Sequence, residues 1–214
     1  MVFMQDSERA SRLALESGID AGLHLNFSEL FTGSAVPASV RASHDRVCRV
    51  LRSSKYSLLL YRPWLNSAFR ELIEAQQAEF RRLFGKQPSH LDGHQHMHLA
   101  TNILWQQMLP AGAKVRRSFS FRTGEKSFVN RAYRTLVDRS LARRHGLTDY
   151  FFSITPNLSG SKLRPIVELA QTANVELMTH PAWNAEYEFL MSSEYQSVTH
   201  SVAMGTYLQL SGAN

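Results

Sequence analysis

Residues 89–98 read Ser-His-Leu-Asp-Gly-His-Gln-His-Met-His, and this run decides how the rest of the chain is interpreted. We predict that residues 89–91 form a strand and that the chain turns at Gly93 into a polar loop. The turn would gather four side chains at one strand end: Asp92, His94, His96 and His98. Imidazole and carboxylate groups are common ligands of divalent metals, so the run predicts a metal site. The alternative is a polar loop of hydrogen-bonded histidines.

Short apolar stretches alternate with amphipathic helix patterns on both sides of this run. Strands separated by helices predict an α/β fold with a parallel sheet, either open or closed into a barrel. In such folds, functional residues collect at the carboxyl ends of the strands. The predicted strands are 22–27, 89–91, 114–117 and 175–179, and the main predicted helices are 39–54, 66–84, 99–109, 128–144 and 161–173.

Two further histidines lie at predicted strand ends. His24 shares one strand face with Asn26, and His180 precedes Pro181, which stops its strand and fixes the backbone. Each histidine alone is more typical of a hydrogen-bonded core residue than of a functional one. Together with the histidine run, the two residues predict a mononuclear metal site with an acid or base beside it.

The composition limits the classes of protein. The chain has 214 residues, of which 43% are hydrophobic and 20% charged, and this predicts a single globular domain over 1–214. No apolar run is long enough to span a membrane. Cys48 is the single cysteine, so an internal disulfide is excluded and a reducing, cytoplasmic location is expected. The sequence contains no phosphate-binding glycine loop, dinucleotide fingerprint or serine nucleophile motif.

The net charge of +6 comes from one segment. Residues 114–144 hold ten basic and two acidic residues, a net charge of +8, so the remainder of the chain carries −2. Such a segment can bind nucleic acid or other anions, or it can be a solvated helix face. Its basic residues are Lys114, Arg116, Arg117, Arg122, Lys126, Arg131, Arg134, Arg139, Arg143 and Arg144.

Three segments in order resemble the YdjC-like carbohydrate deacetylases: residues 22–26 (Gly-Leu-His-Leu-Asn), the histidine run 89–98, and residues 178–182 (Met-Thr-His-Pro-Ala). The histidine run is the most specific of the three. The resemblance implies a distorted (β/α) barrel with parallel strands. It also implies a divalent cation, zinc or magnesium, and hydrolysis of the N-acetyl group of an acetylated amino sugar or oligosaccharide.

The resemblance also assigns roles by position. His24 and His94 would be metal ligands, and His180 would donate a proton to the leaving amine. Asp92 would support the ligands or contact the substrate, and it is a second candidate catalytic residue, as the base, only if the loop aims it at the attacking water. The other candidates would support the ligands or contact the substrate: Asn26, His96, His98 and Trp183, the last by stacking on a sugar ring.

One part of the family pattern is absent from the sequence. Family members begin with a strand that ends in paired aspartates, which supply the general base and a third metal ligand, whereas residues 1–214 contain no Asp-Asp pair. The first strand and first helix are therefore expected to be missing, which would expose a sheet edge and favour a homo-oligomer. Two alternatives stay open: an inactive, sugar-binding relative of the family, and a nucleic-acid-binding module that uses residues 114–144.

Overall fold

A computed structural model describes residues 1–54, 56–121 and 124–210 of the chain. These residues form two compact units. The first comprises Met1–Val115 and Arg143–Gly146, and the second comprises Arg116–Ala142 and residues 147–210. The expectation of a single domain over 1–214 stays a prediction.

The first unit combines helices with two short parallel strands. The strands pair in register, with Leu23 opposite Leu91, His24 opposite Asp92 and Leu25 opposite Gly93. In chain order the elements are α1 (Ser7–Glu16), β1 (Leu23–Leu25), α2 (Ala38–Arg52), α3 (Asn66–Phe84), β2 (Leu91–Gly93) and α4 (Thr101–Trp105), with 3-10 turns at Ser57–Leu59, Pro63–Leu65 and His94–Leu99.

Helix α3 carries the core of the first unit, as its apolar stripe predicts. Four stripe residues are buried, namely Phe69, Leu72, Ile73 and Phe80. The Phe69 ring meets the Phe27 ring edge to face at 5.4 Å between centroids, which joins the helix to the segment after β1. Gly85 ends the helix in a left-handed conformation with φ 65°, as the sequence predicts.

Two elements of the first unit are shorter than predicted. Helix α4 ends at Trp105 because Gln107 adopts a left-handed φ of 49°, so the predicted helix over 99–109 is wrong in its second half. The predicted strand at 114–117 is reduced to isolated parallel bridges, from Leu91 to Val115 and from Lys114 to Gly146.

The second unit pairs two parallel strands and covers them with helices. Its core includes Phe152, Ile154, Leu163, Ile166 and Phe189. The strand that holds Phe152 is not predicted from the sequence, because its apolar residues do not alternate with polar ones. The elements are α5 (Phe128–Ala142), β3 (Tyr150–Ser153), α6 (Gly160–Ala170), β4 (Val175–Met178), α7 (Asn184–Leu190) and α8 (Ser193–Thr199), with 3-10 turns at Thr155–Asn157 and Tyr207–Gln209.

The α/β class with parallel strands is confirmed in both units. Within the described ranges the strands form two-stranded sheets and do not close into a barrel. No helix among the described residues is both long enough and apolar enough to cross a membrane.

Candidate functional site

The register between β1 and β2 places His24 beside Asp92. His24 Nδ1 lies 2.9 Å from Asp92 Oδ2, and the Asp92 side chain is almost fully buried. An ionised carboxylate can only accept hydrogen bonds, so the pair places the imidazole proton on Nδ1 and leaves Nε2 with a free lone pair. Metal-bound histidines are typically oriented in this way, by a carboxylate on the other ring nitrogen.

His94 directly follows β2 and brings a second imidazole to the same place. The ring centroids of His24 and His94 are 5.8 Å apart, with an angle of 81° between the planes. His94 Nε2 lies 3.5 Å from Glu29 Oε1, so a second carboxylate faces this pair of rings. The structure therefore brings together the two histidines that the sequence analysis predicts as metal ligands.

Glu29 is held by a buried network on Asn26. The Asn26 side chain accepts hydrogen bonds from the backbone N–H groups of Ser28 and Glu29, and its amide donates to the Glu29 carbonyl oxygen at 2.7 Å. Gln76 of α3 fixes the Asn26 backbone, because it accepts from the Asn26 N–H at 2.7 Å and donates to the Asn26 carbonyl at 3.1 Å. Asn26 therefore shapes the loop that carries Glu29, and its predicted contact with substrate stays a prediction.

The chain does not turn at Gly93, so that part of the prediction is wrong. Gly93 is extended, and the turn lies at Gln95 and His96, both left-handed with φ of 51° and 60°. Two successive non-glycine residues in this region are strained, a feature that clusters at functional sites. A Cβ atom at Gly93 would lie 2.8 Å from the His98 backbone nitrogen, so the close return of the loop requires glycine here.

The four candidates in the histidine run differ in exposure. Asp92 and His98 are buried, whereas His94 and His96 are partly exposed. The rings of His96 and His98 are 6.3 Å apart between centroids. His98 is shielded from solvent, and the substrate contacts predicted for His96 and His98 stay predictions.

The surroundings favour a neutral His94. Burial lowers the pKa of the His94 imidazole, the neighbouring His24 lowers it further, and the Glu29 carboxylate partly opposes this shift. A neutral imidazole is the form that binds a metal. Burial also lowers the pKa of the Met1 amino group, while the Asp92 carboxylate raises it.

The donor set fits part of the coordination shell of a divalent cation. It offers two imidazoles with close rings, one of them oriented by a buried carboxylate. No group of three or more His, Cys, Asp or Glu side chains in the described parts of the chain is arranged as a complete metal site. The residues present therefore account for two ligands.

His180 and Trp183 lie in the second unit, where β4 leads into α7. The two rings stack at 4.7 Å between centroids and 21° between planes, and Trp183 is 55% exposed. Glu186 lies beneath them and is almost fully buried. Its Oε2 accepts the backbone N–H of His180 at 2.5 Å, and its Oε1 lies 3.6 Å from His180 Nδ1.

The sequence analysis missed Glu29, Gln76 and Glu186. The sequence contains a signal for Glu29, because it lies three residues after Asn26. Asparagine side chains often stabilise turns by bonding to the backbone of the next residues, and such a turn would fix the position of Glu29 relative to Asn26. Gln76 and Glu186 have no such signal, because each is a polar residue within a helix whose importance arises only from burial beside a distant segment. Cys48 is buried, and its thiol meets the Ser28 carbonyl oxygen at 3.2 Å.

Several cations of residues 114–144 are engaged within the second unit. Arg116 forms a largely buried ion pair with Glu176 at 2.6 Å, and Arg117 pairs with Asp138 at 2.8 Å. Arg134 lies over the Phe121 ring at 4.9 Å. Arg122 falls outside the described residues. These contacts give part of the basic segment a structural role, and nucleic-acid binding stays an untested alternative.

The chain is similar to known proteins over most of its length. The family model described as YdjC-like protein matches residues 1–201. The mouse carbohydrate deacetylase is 30% identical over 211 residues, covering 83% of this chain and 66% of the mouse protein. The human carbohydrate deacetylase is 29% identical over 210 residues, covering 83% of this chain and 63% of the human protein. The chain thus spans just under two thirds of the length of these relatives, and it belongs to the YdjC-like family.

Proposed function

We propose that this chain carries the metal-binding part of a carbohydrate deacetylase that removes the N-acetyl group from an amino sugar or oligosaccharide. The observation that carries the proposal is the parallel register that sets His24 on Asp92 and brings the His94 ring within 5.8 Å of His24. The family match and the names of the mouse and human relatives support the same activity. The resemblance also implies a distorted (β/α) barrel for the family.

His24 and His94 would hold a divalent cation, zinc or magnesium. When bound, the cation supplies Lewis acidity that activates water and polarises the acetyl carbonyl group. Asp92 accepts a hydrogen bond from the Nδ1–H of His24, so its role is to orient that ring. Glu29 adds negative charge beside His94 and balances part of the positive charge that the site would hold.

His180 supplies the acid in this proposal. Amide hydrolysis ends with the departure of an amine, which must receive a proton as the carbon–nitrogen bond breaks. An imidazole held in place by Glu186 and Trp183 suits that step, and the exposed face of Trp183 suits stacking on a sugar ring. A general base is still required, and the family pattern assigns it to the aspartate pair that residues 1–214 do not contain.

The test compares residues 1–214 with the same chain extended in frame by the codons upstream of Met1. Acetate release from N-acetylated chito-oligosaccharides is measured with added zinc or magnesium. We expect the extended chain to release acetate if those codons encode the aspartate pair. In the extended chain, His24→Ala or His94→Ala should lower kcat/KM by more than about 100-fold, since losing a ligand costs more than losing the group that orients it.

His200→Ala is the matched control, because His200 is exposed and lies outside the site. Full activity of His24→Ala and His94→Ala would overturn the proposal, as would an extended chain that carries the aspartate pair, binds metal and releases no acetate. The second candidate is an inactive relative of the family that binds sugars. Saturable binding of the same oligosaccharides without acetate release by either chain would favour that candidate.

A further inference from the structure

Glu186 is a buried carboxylate placed directly against His180. It belongs to the first turn of α7, and only 1% of its surface is exposed. An ionised carboxylate is rarely buried unless it is paired and hydrogen-bonded, because its removal from water is costly. The contacts that compensate for this cost show what the carboxylate does in the second unit.

Three groups surround the Glu186 carboxylate. The His180 backbone N–H donates to Oε2 at 2.5 Å, and the Thr155 hydroxyl donates to Oε1 at 2.5 Å. His180 Nδ1 lies 3.6 Å from Oε1, within the range of an ion pair. The carboxylate thus fixes the His180 backbone and faces one nitrogen of the same residue's ring.

The His180 ring is confined on a second side by Trp183. The indole stacks on the imidazole at 4.7 Å, and both residues lie in the short segment between β4 and α7. His180 Nδ1 is buried and has no hydrogen-bond partner in the described parts of the chain, and Glu186 Oε1 faces it at 3.6 Å. Catalytic hydrogen bonds are often long in the absence of substrate and shorten in the complex.

We propose that Glu186 is the positioning residue of His180: it holds the neutral imidazole in the tautomer with the proton on Nδ1. Nε2 is then the nitrogen that takes up a proton from solvent, and the resulting imidazolium gives that proton to the leaving amine. The proton-transfer role rests on the proposed function, whereas the tautomer is a property of the second unit alone. A carboxylate that only anchors the turn would fix the backbone N–H and leave the tautomer unchanged. The same logic operates in catalytic triads, where a buried carboxylate orients the histidine.

The direct test is the tautomer of His180, read from its imidazole nitrogen-15 chemical shifts above pH 8 in the chain of residues 1–214. We expect the Nδ1-protonated form in the unaltered chain. Glu186→Gln keeps an oxygen that can accept the His180 backbone N–H but removes the charge, so we expect the shifts to move toward the Nε2-protonated form. Glu188→Gln is the matched control, because Glu188 is an exposed carboxylate on the same helix, and it should leave the shifts unchanged.

The activity test uses the extended chain. Glu186→Gln should lower kcat/KM for acetate release by about 10- to 100-fold, chiefly through kcat, while Glu188→Gln keeps full activity. Unchanged kcat in a folded Glu186→Gln chain would overturn the positioning role. If no chain releases acetate, the proposed function fails, and the nitrogen-15 shifts still decide whether Glu186 sets the tautomer. The spectrum of the unaltered chain is a test by itself, so the inference can be tested even if Glu186→Gln does not fold. Nitrogen-15 shifts of the Nε2-protonated form of His180 in that chain would overturn the inference.

Discussion

Asp92 is the residue that fixes the orientation of His24. Its carboxylate is buried, lies 2.9 Å from His24 Nδ1, and leaves Nε2 as the nitrogen that can bind a cation. Asp92→Asn keeps the size of the side chain but removes the charge, and its amide can also present a donor to Nδ1. We therefore expect the affinity of residues 1–214 for Zn²⁺, measured by isothermal titration calorimetry, to fall by about 10- to 100-fold.

The matched control is Asp6→Asn, since Asp6 is exposed and makes no capping hydrogen bond with its side chain. It should leave Zn²⁺ affinity unchanged. Equal affinity of the Asp92→Asn chain and the unaltered chain would show that Asp92 does not orient a metal ligand.

Gly93 is the second residue whose identity the site requires. A methyl group there would lie 2.8 Å from the His98 backbone nitrogen and 3.0 Å from the His98 Cβ atom, so the loop would have to move. We expect Gly93→Ala to lower the free energy of unfolding in urea by about 1–3 kcal/mol, the usual cost of overpacking, and to weaken Zn²⁺ binding. Gly205→Ala is the control, because there the only contact under 3 Å is with the flexible end of Gln209. Equal stability of the Gly93→Ala and Gly205→Ala chains would contradict this.

At the scale of elements, helix α3 links the core of the first unit to the candidate site through Gln76. Gln76 is fully buried and makes two hydrogen bonds with the Asn26 backbone, while Asn26 in turn holds the loop of Glu29. Gln76→Met preserves the volume but leaves a buried N–H and a buried carbonyl unpaired. We expect it to lower the free energy of unfolding by about 2 kcal/mol or more.

The adjacent Gln77→Met is the control for this prediction, because Gln77 is only partly buried. Urea denaturation of both variants measures the difference. If Gln77→Met lowered the free energy of unfolding as much as Gln76→Met, the two hydrogen bonds between Gln76 and the Asn26 backbone would make no specific contribution to stability.

The elements that could be predicted from the sequence are those with a complete local signal. Helix α3 has its apolar stripe and a glycine after its last residue, and β1 alternates between polar and apolar residues. The turn after β2 could not be placed, because Gln95 and His96 adopt a left-handed conformation that is uncommon for any residue other than glycine. Tertiary packing of the loop onto Gly93 determines that turn, and it leaves no pattern in the local sequence.

At the scale of the whole molecule, the alternation of strands and helices predicts the α/β class and gathers the histidines at the strand ends. The choice of His24 and His94 as the ligand pair comes from the resemblance to the family, and the register of β1 and β2 brings the two residues together. The carboxylates that hold these residues could not be predicted. Glu186 becomes significant only once α7 packs against the end of β4, and Gln76 only once α3 lies beside Asn26. Contacts between segments distant in sequence therefore decide how the candidate residues are oriented.

Three histidines of the first unit, His44 and His145 buried and His94 partly buried, make its stability depend on pH. Burial is the main cause that lowers the pKa of His44, His94 and His145 below the ordinary value of 6.5. His44 Nε2 has no hydrogen-bond partner among the described residues, and its ring lies against Phe31 at 4.2 Å. A nearby Asp45 only partly opposes the shift at His44.

The sign of the effect follows from proton binding. Below about pH 6.5 the unfolded chain binds protons on these histidines that the folded chain does not, so the free energy of unfolding must decrease as the pH falls. Each histidine adds up to about 1.4 kcal/mol per pH unit to this slope, and above pH 7 the histidines add none.

Urea denaturation between pH 5 and 8 measures the slope. His44→Phe, which replaces the imidazole with an apolar ring beside Phe31, should reduce the slope, whereas a change at the exposed His200, as in His200→Gln, should not. Stability that is constant or rises from pH 7 to pH 5 would contradict the assignment of neutral, buried imidazoles to the first unit.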